Sequence, residues 1–253
     1  MAVRRISVGL SDVGRRRVSN EDAFFADDDL GLYVVADGMG GHAAGEIASS
    51  EAVDTVHGMV KAGRDLLRAI EQGDRSEETL RKATRLLESA VQAATYMVFA
   101  IAQHNPEQQG MGSTLSAFAV CGTLGITGQV GDSRVYLVRD GTASQLTEDH
   151  TLVAWQLKQG IISEEEAALS PHKNVITRAV GSREYVQVDT ALCELRVGDT
   201  VLLCSDGLHG YLKDEEIPAI IDLGPPVAVR RLIDLANERG GRDNITAIVV
   251  ELS

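Results

Sequence analysis

Four apolar runs in this chain end on, or begin from, an aspartate beside glycine or a polar residue: "LYVVADG", "LGITGQVGDS", "TVLLCSDG" and "RDNITAIVVEL". The acids are Asp37, Asp132, Asp206 and Asp243, and "NED" adds Glu21 and Asp22. If sheet order gathers these strand tips, each close carboxylate pair repels by about 4 kcal/mol at ~4 Å and an effective dielectric of ~20. Some must then protonate, or divalent cations must neutralise them. An all-oxygen set without cysteine and with little histidine favours hard ions such as Mg²⁺ or Mn²⁺ over zinc. Gly38, Gly40 and Gly41 strip side chains from around Asp37, so the backbone can turn sharply and a main-chain carbonyl or a bulky anion can approach. Taken alone, "DGMGG" would serve equally as a tight turn before a helix. Three further strand-end aspartates argue against coincidence.

The elements that must carry these acids follow from periodicity. The apolar runs are strands rich in Val, Leu and Ile. "VYLVRDGTASQLT" alternates around Arg139, Asp140 and Gly141 as a hairpin does. Two long helical patterns run from about 43 to 61 and from about 76 to 103. In the second, Leu80, Ala83, Leu87, Ala90, Val91, Ala94, Val98 and Ile101 recur at three- and four-residue steps and form one face. These two helices are expected to pair as an antiparallel hairpin on a sheet. A last helix, about 226 to 239, has proline near its start and Gly240 and Gly241 after its end. Strands segregated from helix pairs make an α+β layered architecture. The segment 151–180 breaks the strand pattern, holds the sole tryptophan, Trp155, and offers Ser163 and Glu166 as a capping box, so it reads as a helical insertion over one sheet edge.

The chain has 253 residues, 44% of them hydrophobic, with no repeat, low-complexity tract or Pro/Ser-rich linker, and one compact domain over 1–253 is the simplest account. Its 24 Lys+Arg against 37 Asp+Glu give a formal charge of -13, which argues against nucleic-acid and anionic-membrane binding. Arg15, Arg16 and Arg17 are the local exception. Cys121, Cys193 and Cys204 lie far apart in apolar surroundings and read as reduced core residues. Without an apolar leader after the N-terminal arginines or a run of about 18 apolar residues, a cytoplasmic protein is expected.

In order and spacing, "RVSNEDAF", "VVADGMGGHAAGE", "GMGSTLSA", "GQVGDSRVYL", "LTEDHT", "ITRAVG", "LLCSDGL" and "GRDNITAIVV" resemble the successive motifs of the metal-dependent protein phosphatases, the PPM or type 2C family, and the "DGMGGH" form resembles its bacterial branch. The resemblance implies a four-layer αββα sandwich of two antiparallel sheets flanked by helix pairs, with the insertion at about 151–180 as a flap beside the metals. It implies that Asp37 bridges two Mn²⁺ or Mg²⁺ ions, that Asp206 and Asp243 hold one ion with it, that the Gly38 carbonyl holds the other, that Glu21 acts through an ordered water and that Asp22 supports this shell. Asp132 would be the principal ligand of a third, weaker site. Arg17 would grip the phosphate, for which a guanidinium fork is suited, and His42 would act as general acid to the leaving alkoxide.

The implied reaction is hydrolysis of phosphoserine and phosphothreonine in proteins by direct attack of a water bridging the two ions, without a phosphoenzyme. The implied partners are phosphorylated proteins, including a Hanks-type Ser/Thr kinase, met by a monomer. Simpler readings stand beside these roles: a turn-forming Asp132 paired with Arg134, a surface Arg17, a helix-start His42. Ser113 and Thr114 would either bond the metal-site carboxylates or start a strand, Asp149 and His150 would anchor the flap, and Arg178 would lock it to the core. Trp155 would contact substrate or pack the flap. His209, Gly210 and Tyr211 depart from common family wording. A binding module without turnover, or a two-metal hydrolase of small phosphoesters or nucleic acid, would carry the same acids.

Overall fold

The computed structural model describes residues 3–40 and 44–253. In chain order the chain forms β1 (Arg5–Asp12), β2 (Asp22–Asp27), β3 (Leu32–Met39), α1 (Ala44–Ala62), α2 (Arg64–Glu71), α3 (Glu77–His104), β4 (Gly112–Ser113), β5 (Leu115–Cys121), β6 (Leu124–Val130), β7 (Arg134–Arg139) and β8 (Thr142–Gln145). There follow α4 (Leu152–Lys158), α5 (Glu164–Leu169), β9 (Asp189–Glu194), β10 (Thr200–Cys204), α6 (Asp206–His209), α7 (Ile217–Ile221), α8 (Pro225–Glu238) and β11 (Ile245–Leu252). One sheet has the order β1-β11-β10-β7-β8 and the other β2-β3-β5-β6-β9, with β4 added to β3, and every pairing is antiparallel.

Three apolar cores stack these pieces into four layers. One joins α1, α2 and α3 to the second sheet through Ala48, Val56, Leu87, Val91, Val34 and Ile126. A second joins α7 and α8 to the first sheet. The third lies between the sheets and contains Tyr33, Val35, Phe118, Val135, Leu203 and Ile248. Alternate residues of one strand enter different cores, as in Val34 and Val35, because successive side chains leave a strand on opposite faces. This is the expected αββα sandwich.

The long helices lie within a residue or two of the sequence expectation, and Ser76 caps the second by accepting from the Thr79 N–H. The hairpin turn falls at Asp140 and Gly141, both with positive φ, as a two-residue turn between twisted strands needs. The insertion folds as α4 and α5. The Ser163–Glu166 capping box is present, and bridges Thr151 to Ile176 and Ser113 to Val180 fasten the segment's ends. Periodicity did not announce α2, which buries only Leu67 and Ile70. Cys121 and Cys204 are buried, and Cys193, on the edge strand β9, is half-buried and packs against the inter-sheet core. No described helix is long and apolar enough to cross a membrane.

The inter-sheet layer is the part of the core that both sheets share. Truncating its fully buried Phe118 to alanine is expected to cost about 3–5 kcal/mol. A urea unfolding titration of Phe118→Ala checks this, and a change within experimental error would contradict the assignment.

Candidate active site

Strand geometry delivers the acids to one end of the inter-sheet layer. Tyr33 and Val35 face the other sheet, so Asp37, two residues on, continues that inward row. Strand β3 does not stop at this acid but continues to Met39, pairing with β4. Asp22 is the antiparallel partner of Asp37 and stands on the same face. From the opposite sheet, Val201 and Leu203 point inward before the chain turns into α6 at Asp206, and Asp243 precedes β11. Asp132 sits where the chain crosses from β6 in one sheet to β7 in the other.

Hydrogen bonds across the gap fix these groups. The Asp22 Oδ2 accepts from Thr246 Oγ1 at 2.6 Å and Ser205 Oγ at 2.8 Å, both from the facing sheet side. Its Oδ1 and the Oδ1 of Asp206 are sealed from solvent with no hydrogen-bond partner. Such orphaned oxygens are costly unless a cation or proton meets them. Burial, helped by neighbouring carboxylates, raises Asp22 from 3.8 to about 7. Burial and then Asp206 and Asp149 raise Asp132 likewise to about 7. Asp37 is pushed well above its ordinary value by burial and by Asp22, Asp206, Asp243 and Asp132. Asp206 rises through burial and the charge of Asp243.

The Glu21 backbone is fastened on two sides: its N–H donates to Asn244 Oδ1 at 2.9 Å, and its carbonyl accepts from Ser49 Oγ at 2.6 Å and the Gly38 N–H at 3.0 Å. Burial raises the carboxyl of Glu21, while Arg17 pulls it down. A Cβ at Gly38 would overlap the carbonyl oxygens of Gly45 and Glu21, so only glycine lets the start of α1 lie this close to β3. Arg17, half-exposed, donates from Nη2 to Asp243 Oδ2 at 2.8 Å. That is a site contact rather than a free surface cation.

Several supporting residues act differently from the sequence reading. Ser113 Oγ donates to the Asp37 carbonyl at 3.0 Å, and Thr114 Oγ1 accepts from the Asp37 N–H at 3.0 Å, so these hydroxyls hold the backbone of Asp37 rather than its carboxylate. Arg134 does not pair with Asp132; it grips Asp149 with Nη2 at 2.7 Å and Nε at 3.0 and 3.2 Å. Two histidines clamp the turn that carries Asp132. The Gly131 N–H donates to His150 Nδ1 at 3.1 Å, and His209 Nε2–H donates to the Asp132 carbonyl at 2.9 Å. Burial pushes His209 down to about 4, which keeps the ring neutral at physiological pH. His150 bonds Asp189 through Nε2 at 3.0 Å, and Arg178 donates to Asp189 at 2.8 Å, which ties the flap to the start of β9. Trp155 is 51% exposed and therefore does not fill the flap interior.

The structure thus brings Asp22, Asp37, Asp132, Asp206 and Asp243 within mutual electrostatic reach, with Glu21 and Arg17 at the border. The position expected to supply the general acid, His42, lies outside the described residues. Among the described residues no three Asp, Glu, His or Cys side chains form a ready-made metal cage. Two acids have other partners: Asp243 pairs with Arg17, and Asp22 accepts from Ser205 and Thr246. Sequence reading missed Ser205, Thr246 and Asn244 as supports, although each neighbours a motif aspartate in "CSDG" and "RDNIT". It also missed Lys173, Asn174 and Arg242, which line the adjoining cleft.

A sandwich of two antiparallel sheets with acids from both sheets at one end of the gap defines a class of layered α+β hydrolase. A sequence model of the protein phosphatase 2C family matches residues 14–246. The serine/threonine phosphatase stp of Listeria welshimeri is 38% identical over 246 residues, 95% of this chain and 93% of that protein. The solved Mycobacterium tuberculosis serine/threonine phosphatase PstP/Ppp superposes with a TM-score of 0.86 at 35% identity, covering 98% of both chains. A PstP catalytic domain solved in complex with two manganese ions superposes at 0.83 with 33% identity over 99% of both chains. The chain belongs to the protein phosphatase 2C family, and with it to the serine/threonine protein phosphatases.

Two outcomes follow from the site as built. Between about pH 4 and 7 the folded state, with Asp22 and Asp132 raised to about 7 from 3.8, binds more protons than the unfolded chain. The slope of stability with pH is then negative, so in chelator the melting temperature is expected to fall as pH rises through this window. Asp22→Asn should flatten that fall; an unchanged slope would count against the raised carboxyl. Removing the ring N–H with His209→Phe leaves the Asp132 carbonyl without its donor and is expected to cost about 1–3 kcal/mol. His209→Gln, which keeps an amide N–H near the same place, should recover most of the loss in chemical denaturation.

Proposed function

We propose that this chain hydrolyses phosphoserine and phosphothreonine esters in proteins with two Mn²⁺ or Mg²⁺ ions held between its sheets. The observation that carries the proposal is the pair of sealed, unpartnered oxygens, Asp22 Oδ1 and Asp206 Oδ1, on facing sides of a gap that also contains Asp37. A donor set made of carboxylate and carbonyl oxygens suits these hard ions, and the family relation supports the same choice. When bound, such ions acidify water and neutralise phosphoryl oxygens.

The protein's own residues do the positioning. Asp37 would serve both ions, Asp206 and Asp243 would complete one set, and the Gly38 carbonyl would contribute to the other. Glu21 acts at one remove through water, and Asp22 braces the set through Ser205 and Thr246. Asp132 is the candidate for a third, weaker site. Arg17, already beside Asp243, turns its guanidinium fork to the substrate phosphate. His42 is assigned as the proton donor to the leaving alkoxide. Residues 1–253 act as one domain with the flap at about 151–180. The substrates are phosphorylated proteins, a Ser/Thr kinase among them, met in the cytoplasm by a monomer.

The test is hydrolysis of p-nitrophenyl phosphate and of a phosphothreonine peptide. Activity is expected with Mn²⁺. EDTA or Asp37→Asn should lower it by at least about 1000-fold, the equivalent of several kcal/mol of transition-state stabilisation. Arg17→Ala should lower kcat/KM by about 10- to 100-fold, the range for a charged hydrogen bond. Full turnover by chelated enzyme would overturn the proposal.

A further inference from the structure

A cleft of about 380 Å³ is lined by the acids Asp132, Asp206 and Asp243 and also by Lys173 and Asn174 of the flap and by Tyr211 and Arg242. Its cations fall into two kinds. Arg134 is neutralised by Asp149 through a bidentate ion pair. Lys173 and Arg242 are exposed, and among the described residues neither has an acidic partner at ion-pair distance. They do not compensate the floor acids either, since Asp243 pairs with Arg17 instead. In a chain of net charge -13, two unpaired cations on one cleft favour an anion arriving from outside.

The backbone presents both residues from defined positions. Arg242 donates its N–H to the Tyr211 hydroxyl at 3.3 Å, and Asp243, next to it, is fixed by Arg17 and by the Asn244 N–H. Lys173 stands in a flap turn closed by the Val175 N–H donating to the His172 carbonyl at 3.0 Å. The Asn174 amide and the Tyr211 hydroxyl add neutral donors to the same cleft. A phosphorylated residue seated at the acidic floor continues as an extended chain at about 3.3–3.6 Å per residue, so the side chains one or two positions away reach these walls.

We propose that Lys173 and Arg242 form an acid-selecting subsite, which receives aspartate or glutamate side chains flanking the phosphorylated residue of a protein substrate. This rests on the phosphatase reading above and adds to it a substrate class: phosphosites in acidic sequence. Flap and β11 entry then act together in recognition, since one cation comes from each.

The test compares phosphothreonine peptides that differ only in carrying Asp or Lys at the two positions on either side of the phosphoresidue, with Mn²⁺. Every rate is divided by the same enzyme's rate on p-nitrophenyl phosphate, which has no flanks. The Asp-flanked peptide is expected to have kcat/KM about fivefold or more above the Lys-flanked one, the scale of exposed charge pairs. The difference should sit in KM and shrink as salt rises. In the doubly substituted Lys173→Glu/Arg242→Glu enzyme the preference should reverse, and the single Lys173→Gln and Arg242→Gln enzymes should fall between. Fluorescence anisotropy with matching non-hydrolysable phosphonate peptides should give the same order of affinity. Equal use of both peptides by the unaltered enzyme, or a preference untouched by the double substitution, would overturn the subsite while leaving the phosphatase reading intact. Failure to hydrolyse p-nitrophenyl phosphate with Mn²⁺ would instead overturn the phosphatase reading, and the subsite with it.

Discussion

Crowding of like charge at one end of a two-sheet sandwich is the constraint around which this protein is organised. Asp22 and Asp37 are cross-strand partners on one sheet, and Asp206 and Asp243 approach from the other. Left to themselves such groups would repel and unpair the strand ends. The surroundings therefore supply restraint: Ser205 and Thr246 on Asp22, the hydroxyls of Ser113 and Thr114 on the Asp37 peptide, and Asn244 on Glu21. These contacts hold the acids in place.

Much of this was legible from residues alone, and for identifiable reasons. Strand period 2 and helix period 3.6 act over long stretches, so α3 and the hairpin at Asp140 and Gly141 could be placed closely. The motif aspartates stood out because acid and glycine at the end of an apolar run are unusual together. What escaped was set by tertiary geometry. Asp149 competes with Asp132 for Arg134 and wins because its carboxylate meets the guanidinium fork with both oxygens, a relation no spacing reveals. Trp155 reads as packing material by type, yet half of it stays exposed on α4, a helix that buries only Val153. The short α2 has too few buried positions to impose a period.

The flap is joined to the centre by a specific hinge of contacts. His150 reaches back to the Gly131 N–H, its ring meets Asp189, and Arg178 closes the same group from the far end of the segment. The turn that carries Asp132 is gripped at the Gly131 N–H by the His150 ring and at the Asp132 carbonyl by His209, which follows Asp206 on α6. The segment from α4 to α5 is thus mechanically continuous with the acids on the floor.

The two sheets contribute to the centre from opposite walls, and the apolar layer that includes Tyr33, Val35, Phe118, Val135, Leu203 and Ile248, together with the bonds from Ser205 and Thr246 to Asp22, sets how far apart those walls stand. The thickness of the slab is therefore a gauge for the distance across which a bound ion would be shared. A bulkier or slimmer residue deep in that layer, well away from any reacting atom, would change the bite of the carboxylates and surface in assays as altered choice between a larger and a smaller cation.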